Sequence, residues 1–481
     1  MILSGYEPKR VLHHFEAISQ IPRGSGNEKG VSDYIAAFAK SLNLNVVQDD
    51  YHCLVIYKPA TEGYEGQPPI ILQGHLDMVC EKNTGTVHDF MTDPIKLCVD
   101  GDYIHAKGTT LGADNGIAVA MCMALLEATD LPHPPLEVVL TSEEETGMDG
   151  AHNLDANLLK GRRMLNLDSS KEGIFIAGSA AAATVEYMLP TSWEATGQFT
   201  EAYTITVKGL LGGHSGGDVK LERGNAIRIL GILLSAISEE TDVRLVSAKG
   251  GMKVNAIPRE SEAFIAVKPG DKEQLHANFK KCAASLRSAF RVADPGLEMN
   301  LTPAKPVDKI QSEQCSRHFI ASLLLLPNGV QSRSREIDGL VAASCNIGVL
   351  ETTDEVLHIT CMPRGATDGH VNRMEIQIAA LAQLTGAKTM FHQRGGAWAF
   401  NPDSKLLAMF ASIYEGMYGE AKITASHGGL EGGIFIKKLP GLDVLSFGPD
   451  ILDLHTPDEK LSISSAERIW AFLCTALSKL K

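Results

Sequence analysis

Carboxylates and histidines in short runs are the residues of this chain best suited to chemistry. The most unusual run is "TSEEETG" (residues 141–147), which places Glu143, Glu144 and Glu145 directly after the apolar run "LEVVL". Neighbouring like charges repel one another, so such a run requires either open solvent or a bound cation. Taken alone, the run is also typical of a solvated loop, and the rest of the sequence must decide between the two.

Similar side chains follow three other strand-like runs. In an open α/β sheet, ligands bind at the carboxyl ends of the strands, so residues just after such runs are candidates for a site. These residues are His75 and Asp77 after "IILQG", Asp168 after "MLNL", and His455 in the loop after "LDVLSFG". Asp114 adds a carboxylate in the glycine-rich loop "GTTLGADNG". Histidines and carboxylates at one sheet edge predict a mixed nitrogen and oxygen site for zinc or a similar divalent ion.

Structural interpretations of the single residues stay open at this point. Asp114 could cap the helix that follows it, because Asp is a preferred capping residue. His75 and Asp77 could share a local hydrogen bond. Asp168 could belong to a strand-end turn, and His455 to a surface loop. The coincidence of all five at one predicted sheet edge favours metal binding.

The number of candidate ligands favours two metals. Five side chains are one more than a closed tetrahedral zinc site takes: His75, His455, Asp114, Asp168 and one glutamate. Two metals that share a carboxylate and a water, about 3.5–4 Å apart, would use all five and generate hydroxide near neutral pH. Residues two apart in an extended strand face the same side. Asp77 is therefore predicted to accept the second ring N–H of His75 and to fix the orientation of that ring.

The alternation of strand and helix patterns predicts an α/β fold built from two chain segments. Residues 1–184 alternate apolar strands with helical stretches, which implies a mostly parallel sheet. The same alternation returns in residues 388–481. The segment between them, 185–387, combines half-buried strands with helices and predicts an inserted α+β domain. Its helical stretches are 224–239, 271–291 and 371–385.

Composition excludes several classes of function. The net charge of −14 over 481 residues argues against a nucleic-acid or anionic-membrane partner, because both require a basic face. The nine cysteines include no CxxC pair, so neither a disulfide framework nor a thiolate zinc site is expected. The amino terminus contains charges and is not typical of a signal peptide, and no apolar run approaches about 18 residues. A cytoplasmic protein is expected.

Motifs along nearly the whole chain resemble those of a known enzyme family. They are "GHLDMV", "GTTLGADNG", "EETGMDGA", "KGLLGGHSGGD", "NAIPRE", "HGGLEGG" and "HTPDE". Together they resemble the co-catalytic di-zinc metallopeptidases of the aminoacylase/carboxypeptidase G superfamily, most closely the aminoacyl-histidine (Xaa-His) dipeptidases. The resemblance implies a zinc-exopeptidase-like catalytic domain with an inserted lid domain. It also implies two divalent metal ions (zinc, with manganese or cobalt as alternatives), a small peptide substrate and a homodimer.

The resemblance implies a role for each metal-type residue. In such enzymes, the residues that match His75 and Asp168 hold one metal. The residues that match Glu145 and His455 hold the other metal, and Asp114 matches the carboxylate that bridges the two.

The resemblance also implies which glutamate of the run has which role. The family pattern is Glu-Glu-x-Gly, and with Gly147 as its glycine the general base is Glu144 and the metal ligand is Glu145. In the family, that base deprotonates the water that bridges the metals. Glu143 is then spare. Counting from the strand instead would select Glu143 and Glu144, so this register is a prediction that the structure and experiment must test.

The inserted segment would supply substrate contacts. His214 in "GGHSGGD" matches a histidine that reaches across the closed cleft to stabilise the oxyanion, although a turn histidine is an alternative. Asn255 and Arg364 match positions that grip the carboxylate at the carboxyl end of the substrate. Arginine suits this task because it binds a carboxylate through two parallel hydrogen bonds, although a salt bridge within the lid is an alternative. Glu431 in "HGGLEGG" receives no role.

The predicted activity is metal-dependent hydrolysis of dipeptides, of the Xaa-His type but broad. One alternative has the same metal chemistry: an N-acyl-amino-acid deacylase or a carboxypeptidase of the same superfamily. Another alternative, from a different class, is a relative that binds metal or peptide without catalysis. The intact Glu144 and the complete set of predicted ligands argue against that alternative.

Overall fold

The chain folds into two compact units in the computed structural model, which describes residues 2–392 and 394–481. Unit 1 comprises Met1–Ser179, Trp398–Ala425 and Leu430–Lys481, and unit 2 comprises Ala180–Ala397 and Ser426–Gly429. The division falls five residues before the predicted boundary at 184/185 and ten residues after that at 387/388. None of the described helices is long and apolar enough to cross a membrane.

Unit 1 is built on an eight-stranded sheet. In sheet order, the strands are Asn45–Gln48, Leu54–Lys58, Leu136–Thr141, Ile70–His75, Arg163–Asn166, Asp443–Ser446, Ile174–Ser179 and Lys422–Ser426. The four strands from Leu136–Thr141 to Asp443–Ser446 run parallel, as the alternation of strands and helices predicted. Outside them, the pairings that join Leu54–Lys58 and Ile174–Ser179 to this centre are antiparallel. The parallel strands are therefore the central ones, and their carboxyl ends lie at one edge.

Helices cover both faces of this sheet. Those of unit 1 are Lys9–Ile18, Lys29–Ser41, Ala113–Glu127, Asp149–Asn153, Lys405–Tyr418, Glu431–Lys438 and Ile463–Ser478. The helix Ala113–Glu127 is almost entirely buried, as expected for a helix that is apolar all round. It packs in one core with strand residues such as Leu72 and Val138. On the opposite face, Ile71 and Val139 pack with Phe435 of the helix Glu431–Lys438, because successive strand side chains point to opposite faces.

A smaller four-stranded sheet completes unit 1. Its strands, in sheet order, are Ile451–Leu452, Lys460–Ser462, Tyr103–Ala106 and Leu97–Asp100. The pairing of Lys460–Ser462 with Tyr103–Ala106 is antiparallel and places Leu461 opposite Ile104. This sheet therefore joins the last part of the chain to the segment just before the Asp114 loop.

Unit 2 has the α+β texture expected of the inserted segment. Its main sheet has the order Glu298–Pro303, Glu201–Lys208, Ser261–Val267, Arg244–Gly250, Val341–Thr352, Val356–Gly365, Val185–Pro190 and Lys388–Phe391. The strands Gly329–Arg333 and Ala181–Ala182 pair at its side. Its helices are Ala226–Ile237, Lys272–Ala289, Glu313–Leu325 and Asp368–Thr385. Two short antiparallel pairs join Trp193–Ala195 to Lys309–Gln311 and Gly213–His214 to Ala256–Ile257.

Candidate metal centre

The five predicted metal-type ligands come together at the carboxyl ends of the central strands of unit 1. They make up two of the three possible ligand clusters among the described residues, and these two share Asp114: His75, Asp114 and Asp168, and Asp114, Glu145 and His455, with the donor atoms of each cluster within 4.8 Å of one another. The oxygen Oδ1 of Asp114 lies 3.2 Å from His75 Nε2, and Oδ2 lies 3.3 Å from His455 Nε2. The two oxygens of Asp114 thus face two different histidines, so this carboxylate could contribute to two neighbouring cation sites.

Strand register explains why distant residues meet here. The strand Ile70–His75 ends at His75 itself, and its Gln73 lies opposite Asn166 of the neighbouring parallel strand. His75 and Asp168 each follow this pair by two residues and therefore leave the sheet at the same level. The distance from His75 Nε2 to Asp168 Oδ1 is 3.7 Å.

The glutamate run turns sharply as soon as its strand ends. Glu143 adopts a left-handed backbone with φ 54°, and its carbonyl accepts hydrogen bonds from the N–H groups of Gly147 (3.1 Å) and Met148 (2.7 Å). Because the chain leaves the extended geometry here, adjacent side chains no longer point to opposite faces. A carboxylate oxygen of Glu144 and one of Glu145 both lie within 4.8 Å of a ring nitrogen of His75. The side chain of Glu143 is outside the metal clusters found among the described residues.

Asp77 holds both the histidine and the glutamate turn. Its carboxylate accepts the backbone N–H groups of Glu144 and Glu145, at 3.1 Å each, and the hydroxyl of Ser25 at 2.8 Å. Its Oδ1 lies 3.2 Å from His75 Nδ1. The strand ends before Asp77, so the contact arises from a bend after His75 and not from the extended geometry assumed in the sequence analysis. Burial alone would raise the pKa of Asp77, but His75 and the hydrogen bonds lower it to about 2.

We expect Asp77→Asn to lower the affinity for a divalent metal ion or kcat by about 10–100-fold, because residues that orient metal ligands typically contribute this much. An asparagine offers one acceptor oxygen where the carboxylate offers two, so Glu144 and Glu145 cannot both keep their bonds. Competition titration with a zinc indicator and steady-state kinetics would measure the change. Ser25→Ala removes a single bond to the same carboxylate and serves as the matched control. Wild-type zinc affinity and kcat in Asp77→Asn would contradict the positioning role.

The Asp114 loop is held by a residue that the sequence analysis did not select. The Glu459 carboxylate accepts the backbone N–H groups of Leu111 (2.8 Å), Gly112 (2.9 Å), Ala113 (2.8 Å) and Asp114 (3.2 Å). Glu459 thereby satisfies the unpaired N–H groups at the start of the helix, and its negative charge suits that end of a helix.

The capping interpretation of Asp114 is accordingly wrong. The N-cap position is Gly112, with φ 71°, and Asp114 has a non-helical ψ of 108° inside the first turn. Its side chain faces His75 and His455 instead of the helix. The peptide bond between Asp114 and Asn115 is cis.

Two further buried residues, Arg23 and Glu28, support the site, although neither belongs to the metal-binding motifs. The Arg23 guanidinium donates to the carbonyl oxygens of Leu76 (2.8 Å) and Asp77 (3.0 Å). The Glu28 carboxylate accepts the N–H of Glu143 at 3.1 Å. Arg23 is 3% exposed and Glu28 2% exposed. Both lie in "IPRGSGNE", a segment in which charges among turn residues are ordinary, so only their burial marks them as structural anchors.

The chemistry of these donors fits divalent cations. Asp114, Asp168, Glu144 and Glu145 are carboxylates packed around His75, and like charges at such distances require compensation. Burial would raise the pKa of Asp114, but His455 and His75 hold it far below its usual value. For Asp168, burial prevails and raises the pKa to about 6. Mixed histidine and carboxylate donors are the set that zinc and related ions bind.

His455 occupies the outer side of the site. It has a left-handed backbone with φ 62°, and its side chain is 48% exposed, whereas that of His75 is 1% exposed. Its Nε2 lies 3.0 Å from Glu145 Oε1, and the two carboxylates beside it raise the pKa of His455 to about 10. Glu145 Oε1 is buried and faces this ring nitrogen, so the two atoms are positioned to bind one cation together.

The three predicted lid residues lie in unit 2, where Ser215 connects them. Ser215 follows His214 directly, and its N–H donates to the Asn255 carbonyl at 2.8 Å. Its hydroxyl accepts from Arg364 Nε at 3.4 Å. Nδ1 of His214 accepts from the N–H groups of Gly216 (3.3 Å) and Gly217 (3.1 Å). The ring proton of neutral His214 therefore lies on Nε2.

Arg364 is a buried cation without a carboxylate beside it. It is 5% exposed. Its guanidinium contacts the Ser215 hydroxyl and the Met362 sulfur, and no carboxylate of the described chain lies within ion-pair distance. Burial lowers the pKa of Arg364 to about 10, which still leaves it charged at neutral pH. The alternative of a lid salt bridge is not what the structure shows.

Comparisons with known proteins assign the chain to a protein family. Residues 71–479 match the peptidase family M20/M25/M40. The chain belongs to this family. A cytosol non-specific dipeptidase of Escherichia coli K12 is 37% identical to this family member over 480 residues, which are 99% of each chain. The crystal structure of an aminoacylhistidine dipeptidase from Vibrio alginolyticus is 36% identical, with a TM-score of 0.91 over 99% of this chain and 97% of the other.

More distant structures share the fold. A tripeptidase from Staphylococcus aureus has a TM-score of 0.57 at 16% identity and covers 99% of each chain. The family match and the two relatives at 37% and 36% identity confirm the predicted fold class and the prediction of a peptide-bond hydrolase, and the non-catalytic alternative is set aside. With its two ligand clusters, this M20 peptidase has a site for two divalent metal ions.

Proposed function

We propose that this M20 peptidase is a dipeptidase with two zinc ions, broad in specificity but able to cleave Xaa-His dipeptides. The observation that carries the proposal is the position of Asp114, whose two oxygens face the two histidines of a paired site. The similar proteins named as dipeptidases, at 37% and 36% identity over nearly the full chain, support the substrate class. Unit 1 would be the catalytic unit and unit 2 the lid.

The bound ions would polarise the scissile carbonyl and lower the pKa of water in the site. The donors that would hold them are His75 and Asp168 for one ion, Glu145 and His455 for the other, and Asp114 for both. Their nitrogen and oxygen chemistry suits zinc and also admits manganese or cobalt. Metal analysis of the purified protein, with each ion added in turn to the stripped enzyme, would decide among the three.

Glu144 is the proposed general base. Its carboxylate takes a proton from the attacking water while the water oxygen forms a bond to the carbonyl carbon. The same carboxyl then gives that proton to the leaving nitrogen as the C–N bond breaks, so protons balance over one turnover. Burial raises the pKa of Glu144 well above its usual value, and cations beside it would lower that pKa. These opposite influences favour a base that works near neutral pH.

His214 is the proposed donor to the oxyanion. The N–H groups of Gly216 and Gly217 occupy its Nδ1, so Nε2–H is the donor that the ring presents. A fixed donor of this kind stabilises negative charge as it develops on the carbonyl oxygen. The backbone of the loop is itself fixed, because Asp218 Oδ2 accepts the His214 N–H at 2.8 Å.

Arg364 and Asn255 are the proposed contacts for the carboxylate at the carboxyl end of the substrate. A buried guanidinium without a carboxylate partner is well suited to receive one, because charge-assisted hydrogen bonds are strong when both groups are desolvated. Asn255 is linked to Arg364 through Ser215, whose N–H donates to the Asn255 carbonyl and whose hydroxyl accepts from Arg364.

We therefore expect Arg364→Ala to raise KM for a dipeptide by about 10–100-fold, since a hydrogen bond to a charged group contributes about 1.5–3 kcal/mol. Its KM for the corresponding dipeptide amide should change little, because the amide has no carboxylate to lose. Initial-rate kinetics on β-alanyl-histidine and its amide would separate the two effects. Arg333→Ala, which removes an exposed arginine of the same unit, is the matched control. An equal rise for both substrates would contradict carboxylate recognition.

Hydrolysis of β-alanyl-histidine and N-acetyl-histidine by metal-stripped protein, with and without added Zn²⁺ or Mn²⁺, tests the function itself. Metal-dependent cleavage of β-alanyl-histidine alone is the expected result. Cleavage of N-acetyl-histidine would favour a deacylase and overturn the dipeptidase. Failure on both compounds, with a panel of other dipeptides cleaved, would overturn the histidine preference only.

The proposal also covers the cellular compartment and the oligomeric state of the protein. The name of the Escherichia coli relative includes the cytosol, and we infer the same compartment for this M20 peptidase. The family resemblance also favours a homodimer, which light scattering of the purified protein would test against a monomer of 51.7 kDa.

A further inference from the structure

Glu431 is a buried carboxyl group for which the proposed chemistry has no use. It begins the helix Glu431–Lys438 and is 0% exposed. Its Oε2 accepts hydrogen bonds from the amide of Gln73 and from the hydroxyl of Thr141, the latter at 2.7 Å. Its Oε1 has no hydrogen-bond partner among the described residues. Both partners are uncharged, so nothing that touches this carboxyl compensates a negative charge.

The helix that carries Glu431 is fixed on the sheet by apolar contacts. Ile434 and Phe435 pack in one cluster with strand residues that include Ile71, Val139 and Met164. Positions three and four residues after Glu431 lie on the same side of a helix. The apolar contacts therefore direct Glu431 toward the same sheet face, one turn nearer to the helix start.

A polar layer follows the apolar one on this face. Side chains two apart along a strand share a face, so Gln73 follows Ile71, Thr141 follows Val139, and Asn166 follows Met164 at the carboxyl ends of their strands. Asn166 Nδ2 donates to Gln73 Oε1.

Glu431 completes this layer. The Asn166 bond orients the amide of Gln73 with its NH₂ group toward the Glu431 carboxyl. Gln73, Asn166, Thr141 and Glu431 are each 0% exposed. They form one connected set of hydrogen bonds that links three strands and one helix.

The polar layer lies directly behind the metal centre. Gln73 precedes His75 by two residues, and Asn166 precedes Asp168 by two. Thr141 is the register partner of His75 and stands just before the turn that carries Glu144. Any shift in these strand ends would therefore move the metal ligands.

We propose that Glu431, in its uncharged form, is a positioning residue of the metal centre, which fixes through Gln73 and Thr141 the strand ends that carry His75 and Glu144. An uncharged carboxyl accepts the two hydrogen bonds without placing a further negative charge behind four carboxylates. Burial raises the pKa of Glu431 to about 8, in agreement with the chemistry of its neutral partners. The inference rests on the proposed function in that it assigns Glu431 to the same metal centre.

Three variants test the proposal. Glu431→Gln is a neutral isostere that keeps an acceptor for Gln73 and Thr141, whereas Glu431→Ala removes it. Glu137→Ala is the matched structural control. Glu137 is 3% exposed and lies at the opposite end of the Thr141 strand, where it accepts the N–H of Gly161 at 2.9 Å. Zinc affinity by competition titration, kcat and KM for β-alanyl-histidine, and Tm are measured for each.

Glu431→Ala is expected to lower zinc affinity and kcat by about 10–100-fold while KM changes less, because the ligands are displaced and not the substrate contacts. Glu431→Gln should stay within about threefold of wild type, since its hydrogen bonds survive. Glu137→Ala should lower Tm but leave zinc affinity and kcat unchanged. Should Glu431→Ala fail to fold, Thr141→Val, which removes one of the two bonds, is expected to weaken zinc binding in the same direction.

Two results would overturn the proposal. If Glu431→Gln loses as much zinc affinity or kcat as Glu431→Ala, the carboxyl acts through its charge or proton and not as an uncharged support. If the changes in Glu431→Ala match those of Glu137→Ala, its role is general stability. Zinc affinity does not depend on the substrate, so inactivity of the wild type toward every dipeptide would overturn the proposed function and leave this test intact.

Discussion

Glu144→Gln is expected to lower kcat by about 10²–10⁴-fold, because glutamine cannot accept the proton that a general base removes from water. The amide has nearly the same shape as the carboxylate and keeps its backbone N–H bond to Asp77. Zinc binding and Tm should therefore change little, and KM should stay near the wild-type value. Stopped assays at high enzyme concentration would measure the residual rate.

Glu143→Gln is the matched control for this prediction. Glu143 precedes the proposed base directly, but its contribution to the turn comes from its backbone, whose carbonyl accepts three N–H groups and whose N–H donates to Glu28. Its side chain should therefore be replaceable without a change in kcat. The reverse outcome, an inactive Glu143→Gln and an active Glu144→Gln, would show that the register counted from the strand is the correct one.

Removal of the metal ions is expected to abolish activity and to destabilise unit 1. Without cations, the buried carboxylates of Asp114, Asp168 and Glu145 repel one another beside Glu144. A ligand that binds only the folded state stabilises it by about 4.1 kcal/mol at a thousandfold excess over Kd. Addition of zinc to the stripped protein should therefore raise Tm and restore hydrolysis, as calorimetry and the same assay would show.

Asp114→Ala should abolish both responses to zinc. Asp114 belongs to both the His75–Asp168 cluster and the Glu145–His455 cluster, so its loss weakens both ion sites. Asp168→Ala removes a ligand of the His75 site alone and leaves the ligands of the His455 site in place. Isothermal titration of the stripped variants would count the ions bound. A wild-type rise in Tm on addition of zinc to Asp114→Ala would contradict the bridging role.

The sequence by itself determined the parts of this protein that depend on local order. Strand-like runs that end in metal-type residues predicted the edge of a parallel sheet, and His75, Asp114, Asp168 and His455 lie together there. The family pattern Glu-Glu-x-Gly, which the resemblance supplied, indicated which glutamates face the site. The change in texture near residue 185 indicated an inserted segment.

The supports of the site depend on contacts between residues far apart in the chain. Glu459 binds the N–H groups of residues 111–114 from across more than 340 positions, and Glu431 meets Gln73 and Thr141 in the same way. Glu459 lies in "HTPDE" and Glu431 in "HGGLEGG", two motifs of the family resemblance, but neither motif assigned these glutamates a role. Both become informative only when the fold buries them against specific partners.

Two interpretations based on local geometry differ from the structure because of tertiary contacts. Asp114 was open to a capping role, but Glu459 already satisfies the helix N–H groups, which leaves the Asp114 carboxylate to the histidines. Asp77 contacts His75 as predicted, but through a bend, and it also binds the glutamate turn. The sequence therefore determined which side chains could perform chemistry, and the tertiary structure decided what holds them, because hydrogen-bond partners are chosen by spatial proximity and not by order along the chain.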